Sequence, residues 1–201
     1  MRDGCLCGHV FRPLANAVRP YKIENGEHTM LHLYFGNGKG KTSAAIGLGI
    51  RACGRGKRVL MVQFLKCQQT GEQLFLQDCE QFVIRRFESQ HGFVINPTPD
   101  QRELLKSEIA QAFNFAKSEV QAGNCDVLIL DEVLDAVELG FLNNAELIAL
   151  ANIGNNKNIE LAFTGRKPSD ELLEIADYAT ELKLIKHPYQ KGVTAREGIE
   201  Y

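Results

Sequence analysis

An α/β fold, with a mostly parallel sheet and helices on both of its faces, is predicted by three observations. Short apolar runs alternate along the chain with stretches of helical period. The first run is followed at once by a glycine-rich turn that opens a helix, and a later run ends in two adjacent carboxylates. Parallel strands end at a common edge of the sheet, so these two features are expected to share one site there.

The elements follow in order. Residues 1–29 mix glycine, proline, asparagine and charge without a sustained period, and read as a loose arm ahead of one domain over 30–201. Cys5, Cys7 and His9 have the chemistry of metal ligands, but a Cys-x-Cys without a second pair is a weak signal. An alternative start at Met30 fits the Gly26-Glu27 pair just before it, whose codons can spell a purine-rich ribosome-binding site. Residues 31–35 form a β-rich run, and 42–53 a helix stopped by Gly54 and Gly56. Strands are expected over 58–64 and 82–87. Between 100 and 123 the apolar residues Leu105, Ile109, Ala112, Phe113, Ala116 and Val120 mark one stripe of an amphipathic helix. Residues 126–130 are a buried strand leading into Asp131 and Glu132, and 159–164 and 180–185 are the last two strands. Helical segments lie between them, including 144–151 and 169–176.

Composition narrows the class. With 201 residues the chain can bury one α/β core but not two. A formal charge of −2 gives no general reason to bind nucleic acid or an anionic membrane. Cys5, Cys7, Cys53, Cys67, Cys79 and Cys125 are scattered, as free thiols in a reducing compartment would be. No apolar run is long enough to span a membrane, and the N-terminus lacks a signal-peptide core. A cytoplasmic protein is expected.

The strongest motif is Gly36-Asn37-Gly38-Lys39-Gly40-Lys41-Thr42, with Ser43 after it. It follows a strand and opens a helix, as a phosphate-binding P-loop does. Glycines let backbone N–H groups turn inward, the helix N-terminus adds positive potential, and Lys41 supplies a full charge. Thr42 is placed to ligate a divalent cation, Mg²⁺ or Mn²⁺. The loop is one residue short of the usual spacing, since Phe35 stands where the first glycine is expected, and it carries the additional Lys39. Asp131 and Glu132 either hold the same cation beside this loop or cap the next helix. The fold is therefore expected to be the P-loop NTPase-like (RecA-like) form of the α/β class. No Ser-His-Asp order, Gly-x-Ser-x-Gly elbow or kinase catalytic loop is present. With no evident general base, a nucleophile that carries no proton is favoured.

Residues 36–66 resemble the P-loop class of ATP:corrinoid adenosyltransferases. The short loop, Arg51, Gly54-x-Gly56-Lys57 and Val62-Gln63-Phe64-x-Lys66 carry the resemblance. So do Leu130-Asp131-Glu132, Thr164-Gly165-Arg166, Ala176-Asp177, Lys186-His187-Pro188-Tyr189 and Gly198-Ile199-Glu200-Tyr201. The resemblance implies transfer of the 5′-deoxyadenosyl group of ATP to the cobalt(I) of a corrinoid, with release of inorganic triphosphate. It implies ATP held in the reverse sense over the loop, a flavoprotein or reduced flavin as electron donor, and a homodimer. Arg51, Gln63, Glu72, Arg166 and Asp177 carry over from matched segments, and His187 is a turn residue or a site contact. A corrin-facing Gly-Phe-Thr-Trp segment of the family reads Gly92-Phe93-Val94-Ile95 here: Phe93 carries over, and Ile95 keeps apolarity without the ring. Cys67 follows Lys66 where the family usually has glycine. Two other classes compete: another P-loop NTPase or small-molecule kinase, and a non-catalytic, nucleotide-dependent corrinoid-binding module.

Overall fold

The computed structural model describes residues 29–66, 68–87 and 98–200. The arm up to residue 28 with Cys5, Cys7 and His9, Cys67, the run from His91 through Phe93 to Ile95, and Tyr201 lie outside the described residues. In chain order the elements are β1 (Leu31–Phe35), α1 (Lys41–Cys53), β2 (Val59–Gln63), α2 (Gly71–Leu76), β3 (Phe82–Arg85), α3 (Pro99–Ala122) and β4 (Val127–Asp131). They continue with α4 (Val133–Glu138), α5 (Asn144–Asn156), β5 (Glu160–Gly165), α6 (Asp170–Ile175), β6 (Tyr178–Glu181) and a 3₁₀ turn, Pro188–Lys191.

The six strands form one sheet in the order β3-β2-β4-β5-β1-β6, and every pairing is parallel. Successive side chains in a strand point to opposite faces, and here both faces are apolar. Leu60, Val62, Leu128, Leu130, Leu161 and Phe163 pack with α3, α5 and α6. Their neighbours Val59, Met61, Val127, Ile129 and Ala162 pack on the other face with Ala45 of α1 and Leu76 of α2. The expected two-faced parallel sheet is what forms. β5 lies between β1 and β4, so the glycine-rich loop and the acidic strand end are one strand apart.

Local chemistry sets the helix limits. Thr98 caps α3 by accepting from the Gln101 N–H while the Gln101 side chain reciprocates, Pro99 opens the helix, and Gly123 ends it in the left-handed region at φ 72°. Ile109, Ala112, Phe113, Ala116 and Val120 are all buried, which is the predicted stripe. Asn143 and Glu146 form the same reciprocal cap on α5, which runs to Asn156, beyond the expected end at 151. β6 pairs through 178–181 rather than 180–185. Its register is set by β1, with His32 opposite Tyr178 and Phe35 opposite Glu181. At its start the Asp177 carboxylate accepts the Leu31 N–H at 2.8 Å.

Cys53, Cys79 and Cys125 are free thiols, and burial pushes the Cys125 thiol up to about 12, as suits a packing residue. No described helix is long and apolar enough to cross a membrane.

Candidate active site

Strand parity decides which polar groups meet at the carboxyl edge of the sheet. Gln63, Asp131 and Thr164 continue the series that faces α1: Val59 and Met61 in β2, Val127 and Ile129 in β4, Ala162 in β5. All three are fully buried. Each strand therefore delivers one polar side chain to the point where α1 begins.

Asp131 is the centre of the arrangement. Its Oδ1 accepts from Thr42 Oγ1 at 2.9 Å and from Thr164 Oγ1 at 2.7 Å. Its Oδ2 accepts from Lys66 Nζ at 2.5 Å and from Gln63 Nε2 at 3.1 Å. Four donors match the roughly four acceptor sites of a carboxylate, so this buried charge is fully satisfied. Gln63 is held from behind. Its Oε1 accepts from Arg86 Nε at 2.8 Å and Nη2 at 2.5 Å, and its Nε2 also donates to Glu72 Oε1 at 3.3 Å. Arg86 further donates to Thr70 Oγ1 at 2.7 Å and to the Gln68 carbonyl, which ties the connection between β2 and α2 to the end of β3.

The glycine-rich loop wraps tightly against the chain beyond β6. The Gly36 N–H donates to the Arg166 carbonyl at 2.9 Å and the Gly38 N–H to the Leu182 carbonyl at 2.7 Å. A Cβ at Gly36 or Gly38 would stand 2.5 or 2.6 Å from that Leu182 oxygen, which leaves no room for any other residue type. Gly40 adopts φ 116° as it opens α1. Lys41 folds back over the loop, its Nζ donating to the Gly36 and Gly38 carbonyls at 2.9 and 3.1 Å. Lys39 reaches outward instead, to the Ile199 carbonyl at 3.1 Å and Glu200 Oε1 at 3.0 Å. Between loop, acidic strand end and C-terminal segment lies a cavity of about 330 Å³, with Lys39, Lys41, Thr42, Lys66, Glu72 and Glu132 in its walls.

Glu132 opens α4 in the left-handed region, at φ 63°, and its N–H donates to Thr164 Oγ1 at 2.9 Å. Its side chain does not cap the helix. Burial, then the Asp131 charge and a hydrogen bond with Asp135, push its carboxyl up to about 7. Glu72 moves the other way: burial opposes its charge, but its own backbone N–H, Thr70, Gln63 and the nearby Lys66 together hold it below the usual carboxylate range.

The Glu132 shift has a measurable sign. The folded protein keeps this proton between the ordinary value of 4.5 and about 7, where the unfolded chain has lost it. Folding stability without added metal is therefore expected to fall as pH rises through that window, by about 3 kcal/mol. Thermal unfolding in EDTA across the window, wild type against Glu132→Gln, checks this. The variant should lose that part of the slope, and parallel curves would contradict the assignment.

The sequence-predicted residues fall into two groups. Gly36 to Thr42, Gln63, Glu72, Asp131 and Glu132 converge, with Ser43 exposed at the mouth of the cavity. Arg166 stands beside the loop at the end of β5, its guanidinium 3.5 Å from Asp135 and 66% exposed. Asn37 is exposed on the loop. Arg51 is not brought there: it is exposed in the last turn of α1, about 15 Å along the helix from Lys41. Asp177 caps the opposite end of β1, and His187 Nδ1 accepts the Tyr189 N–H at 3.2 Å as a turn residue. Lys66, Arg86 and Thr164 enter the site without having been singled out for it. Thr164 carried the same signal as Gln63, a polar residue at the end of an apolar run; Arg86 carried none.

The family described as ATP:corrinoid adenosyltransferase BtuR/CobO/CobP matches residues 27–201. Among curated relatives, a corrinoid adenosyltransferase of Pseudomonas aeruginosa is 32% identical over 177 residues, covering 87% of this chain and 85% of its own. One from Escherichia coli strain K12 is 32% identical over 176 residues, 87% of each chain. Corrinoid adenosyltransferase CobA of Salmonella typhimurium is 31% identical over 176 residues, again 87% of each. These matches do not favour the kinase or binding-module readings.

Proposed function

The chain belongs to the ATP:corrinoid adenosyltransferase family, and we propose that the cavity between its glycine-rich loop and Asp131 receives the triphosphate of ATP. The activity is ATP-dependent adenosylation of a corrinoid. In that reaction the cobalt(I) electron pair of the corrinoid substrate forms a bond to C5′ of the ribose. The C5′–O bond breaks, and its electrons leave with triphosphate. No proton has to leave the nucleophile, so the reaction needs no general base.

The observation that carries the assignment is the meeting of Thr42 and Asp131, 89 residues apart in the chain and 2.9 Å apart in space, at the foot of the loop that holds Lys41. Lys41 and Lys39 supply positive charge where negative charge grows on the leaving group. The Gly36 and Gly38 N–H groups are taken by protein carbonyls, so phosphate-facing donors come from the rest of the loop, Asn37 and 39–42, with Ser43 beside them. Thr42, Asp131 and Glu132 offer hard oxygen ligands of the kind Mg²⁺ or Mn²⁺ takes. They also fit a cation, since the Lys66 ammonium is seated on two of them. Either metal, when bound, would add charge to the triphosphate. Gln63 acts behind Asp131 and Arg166 beside the loop, whereas Arg51 is too far along α1 to reach the phosphates.

Phe93 is assigned to the corrin face on the strength of the resemblance. A reduced flavin or flavoprotein supplies the electron, the free thiols suit the cytoplasm, and exposed Ile185 and Tyr189 offer apolar surface for a homodimer. The test is anaerobic incubation with Mg²⁺-ATP and chemically reduced cob(I)alamin or cobinamide. Light-sensitive adenosyl-corrinoid with inorganic triphosphate is the expected product pair. Orthophosphate or ADP without alkylated cobalt would contradict it.

A further inference from the structure

We propose that Lys66 is a resident counter-cation of the site: it neutralises Asp131 in the nucleotide-free enzyme and yields that carboxylate to the divalent cation arriving with ATP. The proposal rests on the triphosphate and metal reading above. The geometry is specific. Lys66 Nζ lies 2.5 Å from Asp131 Oδ2 and 3.3 Å from Thr42 Oγ1, bridging the strand carboxylate and the helix hydroxyl that together would hold a metal. Asp131 is wholly buried, so its charge requires a partner at all times, whether or not nucleotide is present.

The chain is bent to deliver this lysine. Leu65, just before it, has φ 58°, a left-handed conformation rare for a branched side chain. Beyond it, Arg86 fixes the connection through Thr70 and the Gln68 carbonyl. The carboxylates around the ammonium are Asp131, Glu132 and Glu72. A divalent cation seated there competes with the Lys66 ammonium for the Asp131 charge and repels it at close range, so the arrival of the metal favours release of the lysine. Lysine can leave where arginine would resist, since its charge is a compact point on a flexible stem. The side chain is 23% exposed and lines the 330 Å³ cavity, so a swing away from Asp131 keeps it facing the triphosphate beside Lys39 and Lys41.

The test reads metal binding directly. Free Mn²⁺ is titrated by electron paramagnetic resonance into wild type, Lys66→Met and Lys66→Gln, without nucleotide and then with ATP. Removing the competing ammonium should tighten nucleotide-free Mn²⁺ binding about tenfold or more. The unfolding temperature of the variants in EDTA should fall and be restored by Mn²⁺, while wild type responds little. Lys66→Gln retains a donor to Asp131 and keeps the test open if Lys66→Met does not fold. Folded variants with unchanged or weaker Mn²⁺ affinity would overturn the exchange. Wild type that binds no Mn²⁺ even with ATP would overturn it together with the metal reading, which separates the two failures.

Discussion

Lys41→Ala should lower kcat/KM for adenosyl transfer by at least ~10²–10³-fold, the range seen when one well-placed donor to developing negative charge is removed. The loss should appear with the fold unchanged, and the structure explains why the two separate. Lys41 Nζ rests on two loop carbonyls, Gly36 and Gly38, and among the described residues pairs with no buried carboxylate. Its removal strands no charge; the two carbonyls are left at the wall of the cavity. The loop itself is fixed elsewhere, by the Gly36 and Gly38 N–H bonds to Arg166 and Leu182 and by the close passage of Leu182. Lys39 is not expected to substitute, because its side chain is 51% exposed and its ammonium is already paired with Glu200. The measurement is steady-state transfer to cob(I)alamin alongside thermal unfolding. Unchanged turnover, or a loss of activity that merely follows a loss of stability, would remove Lys41 from the phosphate site.

The same loop shows which parts of this protein could be read in advance. Thr42 and Asp131 were legible because a glycine-rich turn between strand and helix, and an apolar run ending in carboxylates, each fix a position at one edge of a parallel sheet. The stripe from Ile109 to Val120 was legible because helical period is a local property. α2 and α4 were not assigned: at six residues each they show little period, and neither has the side-chain N-cap that Ser169 gives to the equally short α6. β6 was displaced because the apolar residues Leu182, Leu184 and Ile185 drew the reading forward, whereas all four residues that pair with β1 are exposed. An edge strand beside β1 needs hydrogen-bond register more than it needs apolar side chains. Arg51 was legible as a helix residue, but spacing along α1 could not say how far from the loop a ligand would lie. Lys66 and Arg86 depend on the path of the connection between β2 and α2 and on the left-handed turn at Leu65, which no spacing rule supplies.

Asp131→Ala is the substitution for which the structure foresees loss of both stability and activity. Asp131 is the only common acceptor for Thr42, Thr164, Gln63 and Lys66 among the hydrogen bonds described. Its loss strands a part-buried ammonium and several donors, a situation that costs about 3–5 kcal/mol. In a domain of this size each kcal/mol corresponds to ~2–4 °C, so the unfolding temperature should drop by roughly 6–20 °C. Transfer activity should fall as well, since Thr42 loses the partner that orients its hydroxyl at the start of α1. The two consequences can be separated by a double-mutant cycle. Lys66→Met combined with Asp131→Ala removes the stranded charge and should recover part of the stability without recovering activity. Additive stability losses in the double variant would mean that Lys66 and Asp131 do not neutralise each other. A single-variant loss below ~1 kcal/mol would mean that the carboxylate is not the hub its four contacts describe.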